Sequence, residues 1–189
     1  MEESDRVKNK EEIVIVLDVL PNGYHFDTRP SHRKTAIVQA VGKDFFTLLE
    51  LVPKKEVALQ PHEEVYIGEE KREKIHHIIG RLMPDRLTPT AKSELEFVVM
   101  DMVKKNEKKF VNFFNTARPL TTRMHQLELL PGLGKKHMWE IIEKREEKPF
   151  ESFWDLKKRV HLMPDPEKSI VKRIMKEITG IEKHKIFSD

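Results

Sequence analysis

The sequence contains no cysteine, which excludes a disulfide framework, a thiolate metal site and a cysteine nucleophile. No uninterrupted apolar run approaches the roughly 18 residues that read as a membrane span. The opening MEESDRVKNKEE is polar and acidic, without the apolar core of a signal peptide, so a soluble, cytoplasmic protein is expected. His25, Asp27 and His32 are close in sequence, but their spacing matches no zinc pattern and a third strong ligand is missing.

Charge is plentiful. Charged residues make up 35% of the 189 and hydrophobic residues 38%. The apolar share suffices for real cores and argues against a wholly disordered chain. The net charge of +3 hides a gradient. Residues 1–87 hold 14 basic and 16 acidic side chains, and residues 88–189 hold 21 and 16. The basic excess lies in the C-terminal half, where a polyanion is the expected partner.

The first half reads as β-structure. Residues 1–11 have no apolar periodicity and read as a flexible tail. IVIVLDVL (13–20), TAIVQAV (35–41), FFTLLELV (45–52) and VYIG (65–68) are short β-rich runs parted by Pro21-Asn22-Gly23, Gly42-Lys43-Asp44 and other turn signals. Such spacing predicts an antiparallel meander, and closure into a small OB-like barrel would remove its exposed edges. KREKIHHIIGRL (71–82) places Ile75, Ile78, Ile79 and Leu82 at helical spacing and reads as a trailing helix, with His76 and His77 as partly buried helix residues. The predicted fold class is α+β: a barrel over 12–87, a helical connector over 88–118, and an all-α domain over 119–189.

The connector opens at Thr88-Pro89, an N-cap followed by proline at the first helical position. Beyond it, TRMHQLELL (122–130), KKHMWEIIEKREE (135–147), residues 152–160 and the segment after Asp165-Pro166 read as four short helices. Ser152 with Asp155 makes a capping-box variant, and Gly180 stands where a helix ends. Phe110, Phe113, Phe114, Phe150, Phe153 and Trp154 read for the most part as packing residues. Trp139 is the aromatic expected to be partly exposed.

Leu130-Pro131-Gly132-Leu133-Gly134-Lys135-Lys136 is the segment that carries chemistry. Glycine costs about 1 kcal/mol inside a helix, so two glycines at i and i+2 predict a tight bend whose backbone a Cβ would disfavour. A helix opening at Gly134 leaves its first N–H groups without intrahelical partners. Those donors and the positive end of the helix dipole suit an anion, and Lys135 and Lys136 add charge at the same point.

This segment resembles the helix-hairpin-helix motif of nucleic-acid binders that ignore base sequence. The resemblance implies that Gly132, Leu133, Gly134, Lys135, Lys136 and His137 hold a backbone phosphate, with amide donors at Gly132, Gly134 and His137. It also implies a K+ or Na+ site at the carbonyls of Glu128, Leu130 and Leu133. Met138 stands where the motif usually has a small residue. Residues 149–180 look like the partner half of a tandem domain, whose second bend, Val160–Asp165, has no glycine and would serve packing. From Ile13 to Gly180 the chain is similar to an archaeal family, the domain of unknown function 655 family, described as an OB-like barrel joined to a helix-hairpin-helix domain. The features shared include Val65–Gly68, Leu87-Thr88, Phe113-Phe114-Asn115 and Leu127–Gly132. That resemblance implies nucleic-acid binding, RNA favoured over DNA, and no established activity.

Other groups are weighed beside the bend. Tyr24, His25, Arg29, His32, Arg33 and Lys34 bring aromatic and basic side chains into one barrel loop. Both a solvated loop and a second nucleic-acid surface at Arg29, Arg33 and Lys34 stay open. Lys104, Lys105, Lys108 and Lys109, like Lys157, Lys158 and Arg159, read first as solvated helix faces. Two rivals remain: a module docking on a ribosomal or polymerase protein, and a DNA glycosylase-lyase with Lys136 in the catalytic place and Asp155 as an offset aspartate. The expectation is a binding protein with no catalytic residue, not an enzyme.

Overall fold

The computed structural model describes residues 10–180 and 182–188. They form two compact units, one reaching Leu95 and including Phe187 and Ser188, the other Glu96–Ile186. The architecture is mixed α+β. In the first unit a five-stranded antiparallel sheet has the order β4-β1-β2-β3-β5, with β1 Ile13–Leu20, β2 Ile37–Gly42, β3 Leu48–Pro53, β4 Glu64–Tyr66 and β5 Ile75–Arg81. The sheet curls into a half-barrel. Among the described residues no ladder joins β4 to β5, so the closed barrel expected from the strand spacing is open at these two edges.

β1, β2 and β3 lie where their alternating Val, Ile and Leu residues predict. Val14, Val16, Val38, Ala40, Leu49 and Leu51 pack into one apolar core together with Leu59, Val65, Ile67 and Ile75. β2 and β3 are buried at every position, which forces polar groups on the other face to find partners. Gln39, fully buried, donates through Nε2 to the Tyr24 hydroxyl (2.9 Å) and the Arg86 carbonyl (3.0 Å), and its Oε1 accepts the Thr88 N–H (2.9 Å). Thr88 in turn caps helix α1, Pro89–Lys105, by accepting the Ala91 N–H.

Two expectations for this unit are corrected. Residues 71–82 do not form a trailing helix: 75–81 are β5, paired to β3 with irregularities between Glu50 and Leu51 and between Val52 and Pro53. Each bulge inserts one residue, so the sheet-facing positions Ile75 and Ile78 are three apart and imitate a helical period. His76 and His77 are accordingly exposed strand residues, with Nδ1 atoms 2.8 Å apart. The tail ascribed to 1–11 lies outside the described residues as far as residue 9, but Glu11 is buried and bonded to the turn after β2.

The connector is two helices. α1 ends at Lys105 and α2 spans Glu107–Thr116. Between them Asn106 leaves helical geometry, its side chain donating to the Met102 carbonyl. The helix expected over 122–130 is also absent. A two-stranded hairpin, β6 Pro119–Thr121 and β7 Met124–His125, leads into a 3-10 turn at Gln126–Leu129. His125 ends that strand: its Nδ1 accepts the Leu127 N–H, and its own N–H donates to Glu128. The last three helices are α3 Lys135–Glu147, α4 Phe153–Arg159 and α5 Pro166–Ile178, with Ser152 and Asp165 capping as their spacing predicts. Leu127, Leu130, Ile141, Leu156, Ile170 and Ile174 form the buried centre of this unit.

Candidate nucleic-acid interface

The bend at 131–134 sits at the surface. Gly132, Gly134, Lys135 and Lys136 are exposed, whereas Leu130 and Leu133 turn inward. Two side chains of α5 hold the bend from below. Ser169 Oγ donates to the Pro131 carbonyl (2.9 Å), and Arg173 Nη1 donates to that of Leu129 (3.2 Å). Arg173 is itself buried and ion-paired with buried Glu177 (2.7 Å). A charged residue inside the apolar stripe Ile170, Val171 and Ile174 was the sequence signal for this support.

The backbone donors divide into used and unused. Leu133 N–H donates to the Leu130 carbonyl (3.1 Å), and the first intrahelical bond of α3 runs from Met138 N–H to Gly134. Among the described residues, the N–H groups of Gly132, Lys135, Lys136 and His137 meet no protein acceptor. That of Gly134 has only a long contact to His137 Nδ1 (3.4 Å). The His137 ring also reaches the Leu162 carbonyl through Nε2 (3.1 Å), tying the glycine bend to the second bend. The expectation that both glycines need backbone a Cβ would disfavour is corrected for one of them. Gly132 has φ +91, backbone that a side chain strains, although a Cβ there would only touch Pro164 at 3.4 Å. Gly134 is extended, at φ −101 and ψ 179, and a Cβ would meet nothing within 4 Å.

Three carbonyls were expected at a monovalent cation. Those of Glu128 and Leu133 meet no protein donor among the described residues, and that of Leu130 takes one. Met138, at the usually small position, is buried at 6% exposure.

Not every predicted cation is free. Arg29 makes a bidentate pair with Asp27 (Nη2 to Oδ2, 2.7 Å), which holds the Asp27 carboxyl down at about 2. In so exposed a pair the carboxylate offsets the Arg29 charge only in part, and Arg33 and Lys34 follow in the same loop. Tyr24 is buried there. Its neighbour Phe26, stacked on it at 4.8 Å and 60% exposed, is the available ring. Arg159 is spent inside the second unit on the carbonyls of Lys144 and Lys148 and on Asp155. Lys104 pairs with Glu167 and Lys105 with Asp101, as solvated faces do. Trp139 is exposed as expected, and Trp154, assigned to packing, is equally exposed beneath the Lys158 ammonium.

A family model described as "Protein of unknown function (DUF655)" matches residues 10–189. This chain belongs to the DUF655 family. It is 48% identical over 172 residues to the uncharacterized protein MJ0038 of Methanocaldococcus jannaschii, covering 91% of this chain and 76% of that protein. The crystal structure of Af1531 from Archaeoglobus fulgidus, titled as a DUF655 family model, superposes with a TM-score of 0.86 at 47% identity. That match covers 95% of this chain and all of the other. Among the described residues, no helix is long and apolar enough to cross a membrane.

Proposed function

We propose that this DUF655 chain binds nucleic acid, RNA in preference to DNA, through backbone phosphates and without regard to base sequence. The grip is the 131–134 bend, read as a helix-hairpin-helix, and the observation that carries it is the state of Gly134. Nothing in the protein requires glycine there, yet an exposed, extended glycine stands beside unpaired amides and two lysines. Absence of a side chain at such a place serves an approaching ligand, and amides at a helix start suit a phosphate oxygen. The carbonyls of Glu128, Leu130 and Leu133 would hold K+ or Na+.

The first unit supplies a second contact surface. Its strand neighbours, β1 between β4 and β2 and β3 between β2 and β5, support an OB-like reading of the half-barrel, a fold whose loops and sheet face take single strands. Arg33, Lys34 and Phe26 are the contacts it offers. Two weak surfaces on one chain raise overall affinity through effective concentration.

Gly134→Val tests the grip. A Cβ there meets nothing within 4 Å, and giving up glycine at the helix N-cap costs on the order of 1 kcal/mol, so the protein should stay folded with a slightly lower melting temperature, whereas binding of unrelated oligonucleotides should weaken to a similar degree for each. Undiminished binding would overturn the cradle.

A second reading, docking on a protein of the translation or transcription machinery, draws on the exposed apolar surface of Trp154 and Leu162. Partners kept in a pull-down after exhaustive nuclease digestion would favour it. The glycosylase-lyase reading is weaker, because Asp155 is occupied by the Glu151 N–H and Arg159. A borohydride-trapped adduct on abasic DNA would revive it.

A further inference from the structure

A cavity of about 590 Å3 opens beside the bend, between the β6–β7 hairpin and the outer face of α3. This is within the range of small-molecule sites. Lys135, Met138, Trp139 and Ile142 line it at i, i+3, i+4 and i+7, one stripe of the helix. Arg123 and Met124 line it from the hairpin turn. Trp139 is 65% exposed and, among the described residues, has no hydrogen bond or ring contact. Met124 is 37% exposed. An indole left in water, with a thioether and an isoleucine beside it, is a surface for a flat aromatic ring.

The rim chooses among flat rings. Arg123 and Lys135 are exposed cations lining the cavity, and the carboxylate that also lines it, Glu128, accepts the His125 N–H. Arg145, also lining it, is committed to the carbonyls of Phe114 and Ala117. Lys135 is at the same time the first residue of α3, with its N–H among the unused donors of the bend. An occupant therefore combines an aromatic ring with an anion one short step away, which describes a nucleotide in a strand. Bases in a duplex are paired and stacked, while those of a single strand can be splayed onto a protein ring.

We propose that this cavity takes one unpaired nucleobase of a single-stranded nucleic acid, stacked on Trp139, while the adjoining phosphate rests on the 131–134 bend. The inference rests on the phosphate-binding reading above and sharpens it, turning a grip on any backbone into a preference for single strands.

The protein has two tryptophans, so Trp154→Phe leaves Trp139 as its sole indole emitter. In that background, a mixed-sequence 12-nucleotide RNA should quench the emission, and the 12-base-pair duplex of the same sequence should not. Trp139→Ala should lower single-strand affinity by about 5- to 150-fold, the usual worth of one stacked base, and change duplex affinity less than twofold. Trp139→Phe, which keeps a ring, should recover most of the loss. An unquenched indole on a bound single strand, or an equal loss for both RNAs, would overturn the stacking site and leave the phosphate grip standing. If neither RNA binds the unmodified protein, the grip fails and the base site with it.

Discussion

The imidazole of His137 joins two bends of the chain: its Nε2 lies 3.1 Å from the Leu162 carbonyl while its Nδ1 faces the Gly134 N–H. For both contacts to be hydrogen bonds, Nε2 carries the proton and Nδ1 accepts. The carbonyl it reaches belongs to a residue in left-handed backbone, Leu162 at φ +51, with its side chain 78% exposed. A leucine there has little burial to offset the steric cost of roughly 1–2 kcal/mol. Leu162→Gly is therefore expected to raise stability by about 1 kcal/mol, read as a higher melting temperature. A lower melting temperature would show that leucine is not strained in this bend.

Counterion release separates the lysines of the bend from its amides. With three or four phosphates contacted, log K should fall against log salt with a slope near −3, on about 0.7–0.9 per phosphate. Lys135→Gln with Lys136→Gln should reduce that slope by roughly 1.5, because two full charges leave. Gly134→Val should weaken binding with almost no change in slope, because no charge is lost. Identical slopes before and after removal of both lysines would place the phosphates elsewhere.

His125 makes the second unit sensitive to mild acid. Burial pushes its imidazole below the ordinary value, Arg145 adds to the push, and Glu128 opposes it. A proton on Nδ1 would also end the bond from Leu127 N–H. Above the ordinary value near 6.5 both folded and unfolded chains hold the ring neutral. Below it the unfolded chain takes a proton that the folded chain refuses. This contribution to stability is thus complete above the unfolded value and is lost as pH falls through it toward the folded one. Urea midpoints at about pH 7.5 and 5.5 should differ less in His125→Asn, whose side chain can still cap, than in the parent protein. Equal differences would remove His125 from the account.

What the sequence disclosed, and what it hid, follows from locality. β1 and the caps Thr88, Ser152 and Asp165 are decided by neighbours within a few residues, and each stands where the pattern puts it. β5 was hidden because two bulges converted its period of two into an apparent period near three. Residues 122–130 were hidden because a hairpin, ended by the His125 cap, and the 3-10 turn that this cap starts share the apolar spacing of one helix. At the site, the glycine bend and its lysines were legible from residue type alone. The partial offset of Arg29 by Asp27 was available two positions away in the sequence. The support from Ser169 and Arg173 is a contact between residues some 40 positions apart, and the pocket that Arg123 and Met124 share with Trp139 joins a hairpin turn to the α3 face, which no local pattern reveals.

Gly42 and Glu11 supply the sharpest test of the first unit. Glu11, 7% exposed, accepts the N–H groups of Asp44 (2.9 Å), Phe45 (3.0 Å) and Thr47 (3.1 Å) in the turn between β2 and β3. Burial raises its carboxyl above the ordinary range against the pull of those three donors. The turn needs this anchor, because Phe46 within it is left-handed at φ +55. A Cβ on Gly42 would lie 1.9 Å from the Glu11 carboxyl, so alanine at 42 must expel the side chain and strand its donors. Of the three donors the Thr47 N–H is the buried one, and a stranded buried donor costs about 1–3 kcal/mol. Gly42→Ala and Glu11→Ala should each therefore destabilise by on the order of 3 kcal/mol. Made together they should cost hardly more than Glu11→Ala alone, since the space that the new methyl needs is then empty. A double-mutant cycle in chemical denaturation reads this as coupling close to the full single effect. Additive losses would mean that glycine at 42 serves the strand backbone and not the carboxylate above it.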